Sequence, residues 1–372
     1  MKHQIKKTLL TAGLASSVLL TTAAPPKGTR INPLLTRSTL PFGAPNFKLI
    51  QEDDYLPALK KGIEQQRQEI KRIVNNKQKP TFANTVLAYE KSGVLLDRVS
   101  SVFFGLTSAH RTPGIAATQK VAMPLLTDYD NELTFNPRLF QRIKYVYDHE
   151  LNKLKGEDKK LLEEVYKGFV RSGALLSNEK KARMEAINKR IADLQQQWNI
   201  TLPDATNHAV VWVDKEEDLK GLSAADIAQC KKDAENLGGK APYCVVIVNT
   251  TQQAILANLE NRDLRKKIFE ASIHRADGTG AFNTFPIVAE IAKLRAEKAE
   301  LMGYKNYASY SLSKTMAQTT DNVYSFLKNL IKAYLPKSQA ETHAIEAFAR
   351  EKMGSDFVLQ PYDRFYFSAQ MK

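Results

Sequence analysis

The chain has 372 residues, 43% of them hydrophobic and 25% charged, a globular composition long enough for two or three domains and a large buried core. With two cysteines and no low-complexity bias it is neither a disulfide scaffold nor a disordered or collagen-like protein. Formal net charge is +14, yet bases alternate with acids along residues 156–164 (GEDKKLLEE) and 179–193 (EKKARMEAINKRIAD). No dense Arg/Lys run with interleaved aromatics occurs, so nucleic acid is not an expected partner.

Lys2, Lys6 and Lys7 precede a short apolar run over residues 9–20, and Thr22-Ala23-Ala24 offers small residues for cleavage. This is the pattern of a secretory signal over residues 1–24; the apolar run is too short to span a bilayer comfortably. Its removal takes away three lysines and no acids, leaving +11. An exported, periplasmic protein with no membrane contact after signal cleavage is expected.

The spacing then predicts helix upon helix. Leu56, Leu59, Ile63, Ile70, Ile73 and Val74 make one stripe over residues 54–76. Helices follow over 81–92 and 94–109, hinged at Gly93, then over 118–131, 136–154 and 158–171, with Gly173 as a stop. Residues 177–199 form a long helix with Ser177 as N-cap and Met184, Ile187, Ile191, Leu194 and Trp198 on one face. The period changes at Val210. Residues 210–213 (VVWV) and 243–248 (YCVVIV) read as strands, with a helix over 223–237 between them, Ser223 and Asp226 in a capping-box relation, and Gly238-Gly239 ending it.

From residue 251 onward the chain returns to helices. In residues 286–301, Pro286 suits the first turn, Ile287, Ile291, Leu294 and Leu301 share a face, and Gly303 suits a left-handed cap. Two more helices are expected over 321–334 and 339–353. The fold class is therefore mainly α: a multi-helix N-terminal lobe with a small α/β insert, then further helices.

The residues alone select no active site. A helical zinc-protease motif needs two His four apart, with a Glu beside the first as base. His149-Glu150 begins it, but Lys153 stands where the second His must be; His343 and Glu346 begin the inverted form, with Ala347 in the second His position. His3, His110, His208 and His274 lie singly. There is no G-x-S-x-G elbow, Gly278-Thr279-Gly280 lacks the third glycine of a dinucleotide loop, and Gly238-Gly239-Lys240 is no phosphate loop. Cys230 and Cys244 have no metal spacing; a disulfide and two buried thiols are both compatible with them.

The wording of the second half carries more than its pattern. Leu264-Arg265-Lys266, His274-Arg275, Leu294-Arg295, Met302-Gly303-Tyr304 and Met316-Ala317 occur in the order found at the start of the catalytic domain of thimet-oligopeptidase-like zinc peptidases, which this stretch resembles. Residues 41–47 (PFGAPNF), 80–85 (PTFANT), 136–140 (NPRLF) and 169–176 (FVRSGALL), with Ser92-Gly93, resemble the bacterial peptidyl-dipeptidase, or dipeptidyl carboxypeptidase, branch.

The resemblance implies a mostly helical, two-lobed enzyme enclosing a channel. It also implies one zinc held by a HExxH helix and a later Glu, and removal of C-terminal dipeptides from short peptides. Residues 360–367 (QPYDRFYF) resemble a family turn, with Tyr362 where Trp is usual, and the family's zinc helix lies well downstream of that turn. No HExxH occurs in residues 1–372, so no catalytic, metal-ligating or substrate-binding residue is assigned.

The expected organisation is a signal (1–24), a helical N-terminal domain (25–205), a small α/β insert (206–250) and an incomplete start of the catalytic domain (251–372). The chain is expected to be inactive alone and to bind no zinc specifically. Its partners would be short peptides and the missing catalytic half, onto which the face from Ile287 to Leu301 is expected to dock. The alternative is a non-catalytic peptide-binding or interaction module on the same fold.

Overall fold

The computed structural model describes residues 30–371. The signal expected over residues 1–24 lies outside them. Helices dominate, and among the described residues only two strands pair.

Helices α1 (Tyr55–Val74) and α3 (Val94–Ala109) cross closely, with a π-helical turn (Phe82–Leu87) and the short α2 (Ala88–Glu90) between them. Gly62 permits that crossing: a Cβ there would come within 2.8 Å of the Leu96 Cα, a backbone atom that cannot move aside. Tyr55, Leu59, Ile63, Val99 and Phe103 form the core beneath, joined by Ile115 and Tyr129 from α4 (Pro113–Thr134). A second core joins Ile70 and Ile73 to Leu139, Phe140 and Ile143 of α5 (Pro137–Glu150) and Phe169 of α6 (Gly156–Arg171).

Helix α7 (Asn178–His208) is capped by the Ser177 hydroxyl, which accepts from the Lys180 amide. It continues through Pro203, nine residues beyond the expected end at 199. Strand β1 (Val210–Val213) pairs antiparallel with β2 (Tyr243–Val246), Trp212 opposite Cys244, and α8 (Ala224–Asn236) covers the pair. Val211, Val213, Val245 and Ile247 pack on Leu256 and Leu259 around α9 (Asn249–Asn258) and on Leu264 and Ile268 of α10 (Arg262–Ile273). The ribbon thus shares one core with the helices after it.

Helix α11 (Phe285–Leu301) ends as expected: Gly303 has φ +78° and the Tyr304 amide reaches back to the Ala299 carbonyl. The remaining elements are α12 (Tyr307–Leu312), α13 (Thr320–Met353) and α14 (Arg364–Gln370).

Three expectations are corrected. The face from Ile287 to Leu301 is not an open docking surface, because Ile287, Ile291, Leu294 and Leu301 pack on Ile187, Ile191 and Leu194 of α7. Paired ion contacts flank that seam, Arg183 to Glu297 at 2.5 and 2.7 Å and Arg190 to Glu290 at 2.6 and 2.8 Å. Residues 321–334 and 339–353 are one 34-residue helix, α13, that runs through Pro336. The Lys332 carbonyl that loses its N–H partner lies on an exposed stretch where water can replace it. Helix α4 begins at Pro113 rather than 118, because the Thr112 hydroxyl accepts from the Ile115 amide and Pro113 occupies the first turn.

A buried ion cluster ties the last described segment back to α10. Asp363 is 0% exposed. Arg265 Nη2 lies 2.9 Å from its Oδ1 and Arg262 Nη2 lies 2.8 Å from its Oδ2, while the Gln360 amide donates to Oδ2 at 3.1 Å. Arg265 spends its other fork nitrogen on the Leu259 and Glu260 carbonyls, at 2.8 and 2.9 Å. Burial pushes the Asp363 carboxyl up; the two guanidinium hydrogen bonds and the amide outweigh it and hold the group below its ordinary 3.8.

Cys230 and Cys244 are buried free thiols. Burial is the main cause pushing both up to about 11.

Three outcomes are expected. Asp363→Asn leaves two arginines facing a neutral partner and should cost about 3–5 kcal/mol in urea titration. Because the native carboxyl is depressed, its contribution is complete above the ordinary aspartate range and fades as pH falls through and below 3.8, so the variant should lose less stability than the wild type on acidification over that range. Leu294→Ala should cost about 2–5 kcal/mol by the same titration. Both thiols should resist iodoacetamide at pH 8 in the folded protein and react in urea, read by mass.

Candidate functional site

The residues that carry the resemblance are mostly scaffold. Asn136 caps α5 through the Arg138 and Leu139 amides, Thr81 and Asn84 form a reciprocal cap, and Leu264, Arg265 and Leu294 are buried. Tyr362 packs edge-on against Phe269.

The two broken metal motifs are likewise in structural use. His149 stacks on Tyr145 at 4.0 Å, and Glu150 accepts the Phe82 amide at 2.8 Å. Glu346 pairs with Arg350 at 2.7 Å, and His343 is exposed. His274 pairs with Asp277 at 2.6 Å; with the Thr279 amide and hydroxyl it draws that carboxyl down to about 2.

Chemistry-bearing side chains converge instead where α4, α6, α7, α11 and α12 meet. Lys298 of α11 donates to Asn188 Oδ1 at 2.8 Å, and Asn188 donates to Asn131 Oδ1 at 2.8 Å. Asn131 is 4% exposed, and its Nδ2 has no hydrogen-bond partner. Burial pushes the Lys298 amine down; Asp130 opposes this, while Arg171 and Arg295 add to it. Asp130 retains solvent access yet is crowded enough that burial raises its carboxyl, with Lys298 opposing.

Three tyrosines line the same junction. The Arg171 guanidinium lies 4.1 Å over the Tyr310 ring and that of Arg295 lies 5.2 Å over Tyr307. Tyr304 and Tyr310 meet edge to face at 5.3 Å, and the Tyr310 hydroxyl donates to the Arg171 carbonyl at 3.3 Å. Arg171 also bonds Ser313.

Three cations and one carboxylate thus share a seam lined with aromatic rings. This composition can hold an anionic group such as a carboxylate. Sequence reasoning singled out Arg295 and Tyr304 only as parts of motifs and missed Asp130, Asn188 and Lys298, which acquire meaning when α4, α7 and α11 come together. The largest cavity described is elsewhere, about 630 Å³ beside Arg262 and Tyr362.

Among the described residues, no group of three or more His, Cys, Asp and Glu side chains is placed to hold an ion. Nor, among them, is any helix long and apolar enough to cross a membrane.

Residues 255–372 match the sequence model of peptidase family M3. Similarity to curated proteins extends over most of the chain. It is 33% identical to the dipeptidyl carboxypeptidase of Escherichia coli over 345 residues, 92% of this chain and 50% of the relative. It is 34% identical to the Salmonella typhimurium dipeptidyl carboxypeptidase over the same shares, and 28% identical to Escherichia coli oligopeptidase A, again over 92% and 50%. Residues 255–372 are thus similar to peptidase family M3, and 92% of the chain is similar to proteins named dipeptidyl carboxypeptidase. The chain spans about half the length of the curated relatives it matches.

The seam generates a test. Because Asp130 is raised, it favours folding only where it is protonated, below about 3.8, and opposes folding as pH rises through the native value. Asp130→Asn should therefore raise the thermal midpoint slightly at pH 7, with the gain vanishing near pH 3.5, measured by circular dichroism.

Proposed function

We propose that these residues form the peptide-handling front of a zinc peptidase that releases C-terminal dipeptides from short, unstructured peptides. Hydrolysis then requires a zinc-bearing segment that residues 1–372 do not contain. The observation that carries the reading is 33–34% identity to two dipeptidyl carboxypeptidases over 92% of the chain. In it, residues 25–205 are the helical lobe, 206–250 the insert and 251–372 the entry to the catalytic domain. The signal pattern over residues 1–24 supports export to the periplasm.

The seam of Arg171, Arg295 and Lys298 supports a role on peptide. It offers positive charge and aromatic faces to a carboxylate. The same seam favours a second reading, a non-catalytic peptide-binding module, in which peptide affinity exists without any hydrolytic partner.

The purified 372-residue chain should retain no stoichiometric zinc by elemental analysis and release no dipeptide from a blocked tetrapeptide, followed by mass spectrometry. Turnover with one zinc per chain would sink the claim that hydrolysis needs residues outside this sequence. Arg295→Ala should weaken peptide binding at least fivefold by calorimetry if the seam holds the carboxylate, and C-terminal amidation of the peptide should have a like effect.

A further inference from the structure

Helix α13 is two different helices end to end. Beyond Ile345 it is packed: Ile345 and Ala349 sit against Phe367 in a small core with Phe357 and Leu359. Before that, every residue from 324 to 341 is exposed. The bare stretch is nevertheless amphipathic. By helical phase Tyr324, Leu327, Leu330, Ile331, Tyr334 and Leu335 fall on one side, and Ser325, Asn329 and Lys332 on the other. Tyr334 is 68% and Ile331 57% exposed. Single exposed apolar side chains are ordinary on a protein surface; a contiguous face of six along about three helical turns marks an interaction surface.

The occupant can be specified by size and charge. The relatives carry about as much chain again outside the stretch matched here. The α11 stripe is already occupied by α7, which leaves α13 as the broad bare helix face among the described residues. By helical phase Lys328 and Lys337 flank it; Lys337 pairs with Glu341 at 3.5 Å, and Lys328 has no ion pair with an acid of the helix among the described residues. A complementary surface is therefore apolar at its centre and acidic at its edge. Helix α13 also starts seven residues after Ser313, which bonds Arg171. A body seated on its first turns would border the cation-rich seam.

We propose that the face of α13 centred on Leu327, Leu330 and Tyr334 is the docking surface for the half of a relative-length peptidase that this chain does not span. This inference rests on the function proposed above, and it moves the junction from α11 to α13.

The test uses the 372-residue chain carrying Leu330→Cys, Tyr334→Cys or, on the opposite side, Ser325→Cys. Each is labelled with a maleimide alone and again when the chain is continued by the unmatched half of the Escherichia coli dipeptidyl carboxypeptidase. Cys230 and Cys244 are buried and provide the slow background. Labelling at 330 and 334 should slow at least tenfold in the longer protein, and labelling at 325 less than threefold. Unchanged labelling at 330 and 334 overturns the assignment; if the longer protein then still releases dipeptides, the proposed function stands and only the surface falls. Two other results would also overturn it. One is a concentration-dependent dimer of the 372-residue chain that protects 330 and 334 by itself. The other is protection of those positions by phosphatidylglycerol vesicles, the outcome if the basic amphipathic helix seeks a lipid surface.

Discussion

A carboxylate with no water access, held by two arginines, is the constraint on which the C-terminal third depends. Asp363 belongs to a short turn late in the chain, whereas Arg262 and Arg265 open α10 about a hundred positions earlier. Isolated, a buried carboxylate would be driven to protonate or to unfold its surroundings. Here Arg262 approaches with fork geometry through Nε and Nη2, Arg265 donates through Nη2, and the Gln360 amide fills a further lone pair. The rings of Phe357 and Tyr366 lie under the guanidinium planes at 4.5 and 4.3 Å. The cluster therefore fixes where α14 sits, and α14 in turn supplies Phe367 to the small core around Ile345 and Ala349 at the far end of α13. Replacing one member would disturb elements with no sequence proximity to it.

Much of the fold was legible because its determinants are local. Ser177, Ser223 and Asn136 cap the helices they precede, each through its own side chain. The change of period at Val210 marks the strand that pairs with residues 243–246. The stripe on α11 was visible as well, but a stripe does not name its partner: the choice of α7 rests on the matching stripe at Ile187, Ile191 and Leu194 and on two arginine–glutamate pairs bridging from α7. The break expected between 334 and 339, where Pro336 lies, is absent for the opposite reason. The proline's local cost is real, but the helix on both sides is long and water can serve the orphaned carbonyl, so continuity prevails.

The seam at Lys298 was invisible because it is assembled from separate helices. Asp130, Asn188 and Lys298 sit in α4, α7 and α11, and each taken alone reads as one more polar helix residue. Conversely, the words by which the chain resembles peptidases turned out to describe caps, a helix stop and buried packing residues. Such residues are tightly specified by backbone geometry and core volume, so they report ancestry and fold well. Chemistry has to be sought among less conspicuous side chains.

Helix α13 has one more consequence, for motion. Its 34 residues span about 51 Å, with the far end embedded and the middle bare. Helical hydrogen bonds over residues 324–341 have little tertiary packing to protect them, whereas those around Ile345 and Ala349 open only with the core that holds them. A single helix then carries a steep gradient of amide exchange, fast along its bare length and slow near its anchor. Contact along the bare face would flatten the gradient, so the helix would report the presence of a neighbour through its own backbone.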